Sequence, residues 1–217
     1  ELDLFPQELE QARQKVTEKE AAVIIGKIVS ASSHVDYVCQ VYGEGEAAQP
    51  PAPSDYGFGS FVAIQQDADS LLVGLIANTM LLNPDFGSLG PRLSPEHDLE
   101  VFSPDYLAEQ ATLVAIIVIG AIGSEASVQQ GVPAVAAPID APVRRLTDDE
   151  IERFHLDGAN LRLSYLSLLL GMTANPLMPT LLQQIATELS ERFPQHAAAL
   201  AVLRRNLAWR SSVLPAG

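Results

Sequence analysis

Residues 60–78 read SFVAIQQDADSLLVGLIAN, which is two apolar segments joined by a short polar turn. The segments Ser60–Gln65 and Leu71–Asn78 have the length of strands, and Asp67-Ala-Asp69 lies between them. Apolar runs of this length on both sides of a turn predict a β-hairpin. We therefore expect the residues around this hairpin to form further strands of a sheet.

The flanking residues continue the strand pattern. Residues 21–30 (AAVIIGKIVS) are rich in β-branched side chains, and residues 34–42 alternate between apolar and polar as half-buried strands do. Ala111 to Ile122 is continuously apolar, which predicts a strand that is buried on both faces or kinked at Gly120. Short strands without intervening helices indicate an antiparallel barrel or an open sandwich.

The last third of the chain is predicted to be helical. Thr147-Asp-Asp-Glu150 has the pattern of a capping box, and residues 159–172 are apolar on most helical faces. Asn175-Pro176 predicts the start of a helix that ends near Arg192, followed by a last helix through Trp209. We therefore expect an α+β fold: an N-terminal helix (1–20), an antiparallel β-barrel (21–146) and a helical C-terminal domain (147–217).

The charge is concentrated in the predicted barrel. The chain has 217 residues and a net charge of −14, and residues 28–143 contain 14 acidic side chains against one basic side chain, Arg92. Because nucleic-acid affinity depends on Lys and Arg at phosphates, we expect no direct contact with DNA or RNA. The charge serves either solubility or the attraction of a basic protein partner.

The composition also bears on the cellular compartment. The single cysteine, Cys39, excludes an internal disulfide and lies in the alternating strand, where we expect a small buried side chain. The longest apolar run, residues 113–123, is too short to span a bilayer of about 30 Å as a helix. No basic-then-apolar leader is evident, and a soluble, cytoplasmic protein is expected.

Motifs for catalysis or cofactor binding are not evident. Gly26-Lys27 lacks the other residues of a phosphate-binding loop, and the four histidines are far apart. The local cluster Glu96-His97-Asp98 favours a solvated loop over a metal site. Arg204 and Arg205, with Trp209 and Arg210, favour charge neutralisation over an RNA contact. We therefore predict no enzyme activity, cofactor or metal.

Several segments together resemble the HAS-barrel, the N-terminal β-barrel shared by HerA-type DNA-translocating ATPases and ATP synthase catalytic subunits. Residues 23–30 (VIIGKIVS) resemble its opening strand, and residues 56–64 (YGFGSFVAI) and 71–77 resemble its later strands. Residues 132–154 (VPAVAAPIDAPVRRLTDDEIERF) resemble the proline-rich exit of the HerA-type barrel. The resemblance implies a barrel fold over about residues 21–155.

The resemblance ends where the motor domain of those ATPases would begin. Residues 155–217 stand in its place without a phosphate-binding loop, so ATP hydrolysis is not implied. In the family the barrel serves assembly, and in HerA-type proteins it receives a partner nuclease. A barrel without a motor implies an adaptor or assembly module.

The leading hypothesis is a non-enzymatic protein-interaction or assembly module that binds a protein partner or forms a homo-oligomer. Its contacts would come from the long connections 43–59 and 83–108 and from the apolar segment 159–172, which could equally be an ordinary core helix. The expected contact residues are Asp55, Tyr56, Phe58, Phe86, Leu89, Tyr165, Leu169 and Met172.

Two alternatives stay open. The first is a small-ligand sensor or enzyme that uses loop residues at the barrel mouth, namely Asp55, Tyr56, Glu96, His97 and Asp98. The second is an accessory factor of a ring ATPase, which rests on fold analogy.

Overall fold

A computed structural model describes residues 23–82, 111–124 and 127–213, with the backbone alone described for residues 209–213. The predicted N-terminal helix (1–20) and the predicted connection 83–108 lie outside the described residues.

Six strands close into an antiparallel barrel in the order β1, β2, β5, β4, β3, β7, with β7 pairing back to β1. A short strand, β6, adds to the end of β5. The predicted α+β barrel with a helical extension is confirmed, and the barrel is closed. The strand bounds are β1 Ile24–Ala31, β2 Asp36–Val41, β3 Phe61–Gln65, β4 Leu71–Leu82, β5 Ala111–Ile122, β6 Val128–Gln130 and β7 Pro142–Arg145.

The barrel interior is filled by apolar side chains from alternate positions of the strands, as expected for a barrel of this size. Tyr37, Cys39 and Val41 of β2 point inward, as their alternation predicted. The strand-connecting segment 132–141 covers one end of the barrel, where the Ala137 N–H donates to the hydroxyl oxygen of Tyr37 at 3.1 Å. Ala137 and Ala141 are buried there against the interior.

Within the described residues, four α-helices follow the barrel, together with a small hairpin of β8 and β9. Their bounds are α1 Asp148–His155, β8 Leu156–Asp157, β9 Asn160–Leu161, α2 Leu166–Gly171, α3 Met178–Arg192 and α4 Ala197–Val213. The predicted capping box is confirmed: the Glu150 N–H donates to Thr147 Oγ1, and the Thr147 N–H donates to Glu150 Oε2. Helix α3 begins at Met178 instead of at Pro176, and Asn175 Oδ1 accepts the Leu177 N–H in the turn that precedes it.

The prediction of one apolar helix over residues 159–172 is wrong. A hairpin turn with Gly158 at a positive φ of 60° precedes a short helix, α2. The side chain of Gln130 holds this stretch in a non-helical form: its amide donates to the carbonyl oxygens of Phe154 and Arg162, and its oxygen accepts the Ser164 N–H. The apolar residues of the stretch pack on the barrel from two short elements.

The helices cover the outer face of β3, the first part of β4 and the second part of β5. Ile116 and Val118 point into the barrel, whereas Ile117 and Ile119 pack under the helices. The prediction that this strand is buried on both faces is confirmed for its second part, from Ile116 onward, whereas Leu113 and Ala115 in its first part are half-buried. The two apolar layers are therefore the barrel interior and a second core between the barrel wall and the helices.

Candidate functional site

The outer face of four neighbouring strands remains accessible where the described helices end. Ser30, Val38, Ala115 and Asn78 form one row of cross-strand neighbours across β1, β2, β5 and β4, and cross-strand neighbours share a face. The chain neighbours of Val38 and Ala115, namely Tyr37, Cys39, Val114 and Ile116, point into the barrel, so this row points outward. We call this row and the next one the open face: Ser30, Val38, Ala115, Asn78, Lys27, Gln40, Leu113 and Met80.

A groove of about 500 Å³ crosses the open face. Val38 and Ala115 lie in its floor, and the α2–α3 connection from Met172 to Pro176 lies along it. The described lining contains one charged side chain, that of Asp36, and no Lys, Arg or His. Asp36 is half-buried, and one of its carboxylate oxygens accepts the Ser33 hydroxyl at 2.8 Å. The groove is thus an apolar trough with a carboxylate in its lining.

The end of β4 forms a strand edge beside the groove. β3 pairs with β4 as far as Leu75. Beyond it, the Ile76 N–H donates to the Ser60 carbonyl oxygen at 3.1 Å and the Gly59 N–H donates to the Ile76 carbonyl oxygen at 2.8 Å. Beyond a bulge between Ile76 and Asn78, β4 continues to Leu82 with β5 on one side. In the part of the chain that the structure describes, no strand lies along the other side of Asn78–Leu82. These residues therefore form an edge of the sheet.

The last three residues of the edge are apolar and exposed. Met80, Leu81 and Leu82 are 36%, 79% and 52% exposed. The Thr79 N–H donates to Oδ1 of Asn78 at 2.9 Å. A local side-chain acceptor of this kind takes the place of the backbone acceptor that a neighbouring strand would provide. Asn78 belongs to both the edge and the groove lining, so the two features are continuous.

The cations of the described barrel strands are engaged with acids of the same chain. The pairs are Lys27 with Asp140 (3.4 Å), Arg144 with Glu150 (2.6 Å) and Arg145 with Asp55 (3.7 Å). These basic groups are therefore already paired with acids of the same chain.

The sequence-predicted contact residues fall in different environments. Asp55 and Tyr56 lie on a single 3-10 turn, Pro53–Tyr56, where Asp55 accepts the Ala52 N–H and faces Arg145. Tyr56 packs partly against the barrel interior, and Phe58 packs partly against the second core. These side chains are already occupied within the chain, and none of them lines the groove.

The predicted contacts on 159–172 divide in a similar way. Tyr165 and Leu169 have no exposed surface, so here they are core residues, the ordinary alternative that the sequence had left open. Met172 is half-buried and lines the groove. Phe86 and Leu89, and the alternative site residues Glu96, His97 and Asp98, lie outside the described residues.

Cys39 is buried in the barrel, as its strand position predicted. Burial raises the pKa of its thiol to about 12, so it is a thiol at neutral pH and has no access to a substrate. Arg204 and Arg205 are exposed on α4, and the side chains of Trp209 and Arg210 lie outside the description.

A buried polar pair was missed by sequence reasoning. His155 Nδ1 donates to the Ile151 carbonyl oxygen at 2.8 Å, and His155 Nε2 accepts the Tyr165 hydroxyl at 3.0 Å. Phe61, Phe154 and Phe193 surround the imidazole. Desolvation lowers the pKa of His155 to about 4 in spite of the bond to Ile151, so the ring is neutral at physiological pH.

The position of this pair decides what it can do. His155 and Tyr165 have no exposed surface, so no solute reaches them in this conformation. Charged neighbours, Glu188 and Arg192, lie at the border of the same core, and Arg192 also donates to Asp148 at 2.6 Å. The hydrogen bond between His155 and Tyr165 therefore links the end of α1 to the start of α2 in the core between the barrel and the helices.

The fold and the surface features together define a capped antiparallel β-barrel with an open sheet face. The chain belongs to the family described as Domain of unknown function (DUF8166), whose model matches residues 9–216. No curated protein matches the chain. Among the described residues, no helix has the length and apolar character to cross a membrane.

Proposed function

We propose that the protein is a non-enzymatic interaction module that binds a protein partner through the open face and the adjoining edge of β4. The observation that carries the proposal is the continuity of three accessible features: the groove, the open face and the apolar strand end at Met80–Leu82. Exposed apolar surface beside an unpaired strand edge is typical of a protein-binding site.

Other observations support binding over catalysis. The reactive side chains of the described core, Cys39 and His155, are buried where a substrate does not reach them. The resemblance to the HAS-barrel, whose barrels serve assembly, supports the same class of function. That resemblance stays a prediction, as does the cytoplasmic location.

Site-specific photo-crosslinking tests this proposal. The photoreactive amino acid p-benzoylphenylalanine is placed at position 80 on the open face, and a matched variant carries it at position 202 on α4. Val202 is 57% exposed and lies outside the groove lining, so it controls for random encounters.

After irradiation in a lysate of the source cells, we expect one dominant adduct from position 80 and none of that mass from position 202. Equal adducts from both positions, or none from position 80, would contradict the proposal.

A small-ligand function is the second candidate, and the groove itself favours it. A trough of about 500 Å³ with an apolar floor and a carboxylate has the size of a small-molecule site. The groove is lined by Asp36 and Asn175, whereas the residues expected at the barrel mouth, Asp55 and Tyr56, do not line it. A rise in Tm with small organic cations, abolished by Asp36→Asn, would support it. The ring-ATPase accessory hypothesis stays a prediction.

A further inference from the structure

We infer that the partner contributes an extended segment with a short apolar stretch followed by a Lys or Arg: the stretch adds as a strand to β4 along Asn78–Leu82, and the cation enters the groove at Asp36. This inference rests on the proposed interaction function and names the partner's chemistry.

The first step concerns the edge. β4 contains no charged residue and no proline from Leu71 to Leu82. Exposed sheet edges in natural proteins are usually protected by charges, especially Lys, or by proline. An edge without that protection, with Leu81 79% exposed, is suited to main-chain pairing with another strand.

The second step concerns the length of the paired stretch. The backbone hydrogen bonds of Ile76 with Ser60 and Gly59 occupy the edge of β4 just before Asn78. An added strand therefore pairs over the five residues Asn78–Leu82 and must leave the edge at Asn78. Since Asn78 lines the groove, the segment that leaves the edge enters the groove.

The third step concerns charge. Asp36 lies on β2, three strand spacings from the added strand beyond β4, which is roughly 14 Å or about four extended residues. Because the described lining contains no cation and the barrel cations are paired within the chain, a Lys or Arg of the segment would meet an uncompensated carboxylate. A second copy of this chain would instead bring a further net charge of −14.

Antiparallel pairing is the commoner arrangement of strands and sets the order of the motif. β4 runs from Asn78 outward to Leu82, so an antiparallel partner runs toward the groove. Its apolar residues precede its cation, which follows the paired stretch by about four residues. Side chains of the stretch that share the outward face with Met80 should be apolar.

Selection from a random 12-residue peptide library on the full chain, followed by fluorescence anisotropy of the selected peptides, tests the inference. We expect peptides with an apolar stretch followed by Lys or Arg. Asp36→Asn should raise the Kd of these peptides about three- to fivefold, since the ion pair is half-exposed. The matched variant Asp149→Asn, which removes an exposed carboxylate from α1, should change it less than about twofold.

Strand addition is tested separately from charge. Thr79→Pro removes an N–H from the edge and should weaken binding at least about tenfold. Should this variant unfold, the same peptide N-methylated at alternate backbone positions serves instead, and it should lose binding to the unchanged protein.

Four outcomes would overturn the inference. The first is that the selected peptides contain no cation, and the second is that the library yields no enriched peptide. The third is that neither Asp36→Asn nor N-methylation changes the Kd of the peptides. The fourth is that putrescine alone displaces the peptides while N-methylation leaves their binding unchanged. A dimer of this chain in light scattering that Met80→Glu dissociates would also overturn it, because the occupant would be a second copy. If the expected peptide motif is not found, a single photo-adduct from position 80 would still support the proposed interaction function.

Discussion

His155 Nε2 accepts a hydrogen bond from the Tyr165 hydroxyl at 3.0 Å, and neither side chain has exposed surface. Because the other ring nitrogen donates to the Ile151 carbonyl oxygen, the imidazole is held as the neutral tautomer with its proton on Nδ1. A neutral histidine in an apolar core makes the stability of the helical cover dependent on pH.

Acid is expected to destabilise the protein through His155. Its pKa in the folded protein is lowered from 6.5 to about 4, chiefly by burial, so between these pH values the unfolded chain binds a proton that the folded chain does not. The stabilisation is complete above pH 6.5 and is lost as the pH falls toward 4, by up to about 3 kcal/mol. Urea unfolding at pH 7.5, 5.5 and 4.5 measures the effect.

Two variants distinguish the contribution of His155 to the pH dependence of stability from the contribution of the carboxylates. His155→Gln should flatten the dependence between pH 6.5 and 4, whereas His196→Gln, at a half-buried position outside the second core, should retain the wild-type slope. Equal slopes in the wild type and His155→Gln would contradict this assignment.

Removal of the Tyr165 hydroxyl should be costly although the ring is kept. In Tyr165→Phe the Nε2 of His155 loses its donor while it remains buried, which costs about 1–2 kcal/mol. For a chain of this size the loss corresponds to a fall in Tm of roughly 2–8 °C. In a His155→Phe background the same substitution should cost less than about 0.5 kcal/mol, and an equal cost in both backgrounds would show that the bond contributes nothing.

The barrel could be predicted from the sequence because its signals are local. Alternation in β2 and the apolar hairpin 60–78 give strands whose faces are set by side-chain polarity. The capping box at Thr147 is likewise contained within four residues and is present in the structure. The closure of the barrel depends on the pairing of β2 with β5, which are 70 or more residues apart, and local patterns do not contain it.

The misassigned segment 159–172 shows where local patterns fail. An apolar run is compatible with a helix or with short elements that pack on a sheet, and here the choice depends on Gln130, more than 20 residues upstream. The groove and the β4 edge were missed for the same reason. Asp36, Asn78 and Met172 come together through strand pairing and helix placement, and of these three the sequence had indicated Met172 alone as a contact residue.

Gly120 is expected to be intolerant of any side chain. A Cβ at this position would lie 2.2 Å from the Gln129 carbonyl oxygen and 2.8 Å from the ring of Phe154, so the strand and the helical cover would have to separate. Gly120→Ala should destabilise the protein by about 2–3 kcal/mol in denaturant unfolding. Gly171→Ala is the matched control, since its Cβ would meet nothing within 4 Å, and it should cause no loss. Similar losses in the two variants would contradict this close-packing argument.

Glu150 is expected to stabilise the barrel–helix junction through two interactions that can be separated. Its carboxylate accepts the capping N–H of Thr147 and both guanidinium bonds of Arg144, and although burial opposes ionisation, these partners hold its pKa below 4.5. Glu150→Ala should cost about 2–3 kcal/mol, because it removes the cap and leaves a half-buried Arg144 unpaired. Glu150→Gln keeps a capping acceptor and should cost about 1 kcal/mol, whereas Asp149→Ala, an exposed acid on the same helix turn, should cost less than about 0.5 kcal/mol.

The pH dependence of the Glu150→Gln effect tests whether the charge is responsible. A carboxyl group whose folded pKa is lowered stabilises the protein above its ordinary pKa of 4.5, and that stabilisation is lost as the pH falls through the folded value. The difference in unfolding free energy between the wild type and Glu150→Gln should therefore be larger at pH 7 than at pH 3. A difference that stays constant across this range would assign the effect to packing or to the cap, and not to the ion pair with Arg144.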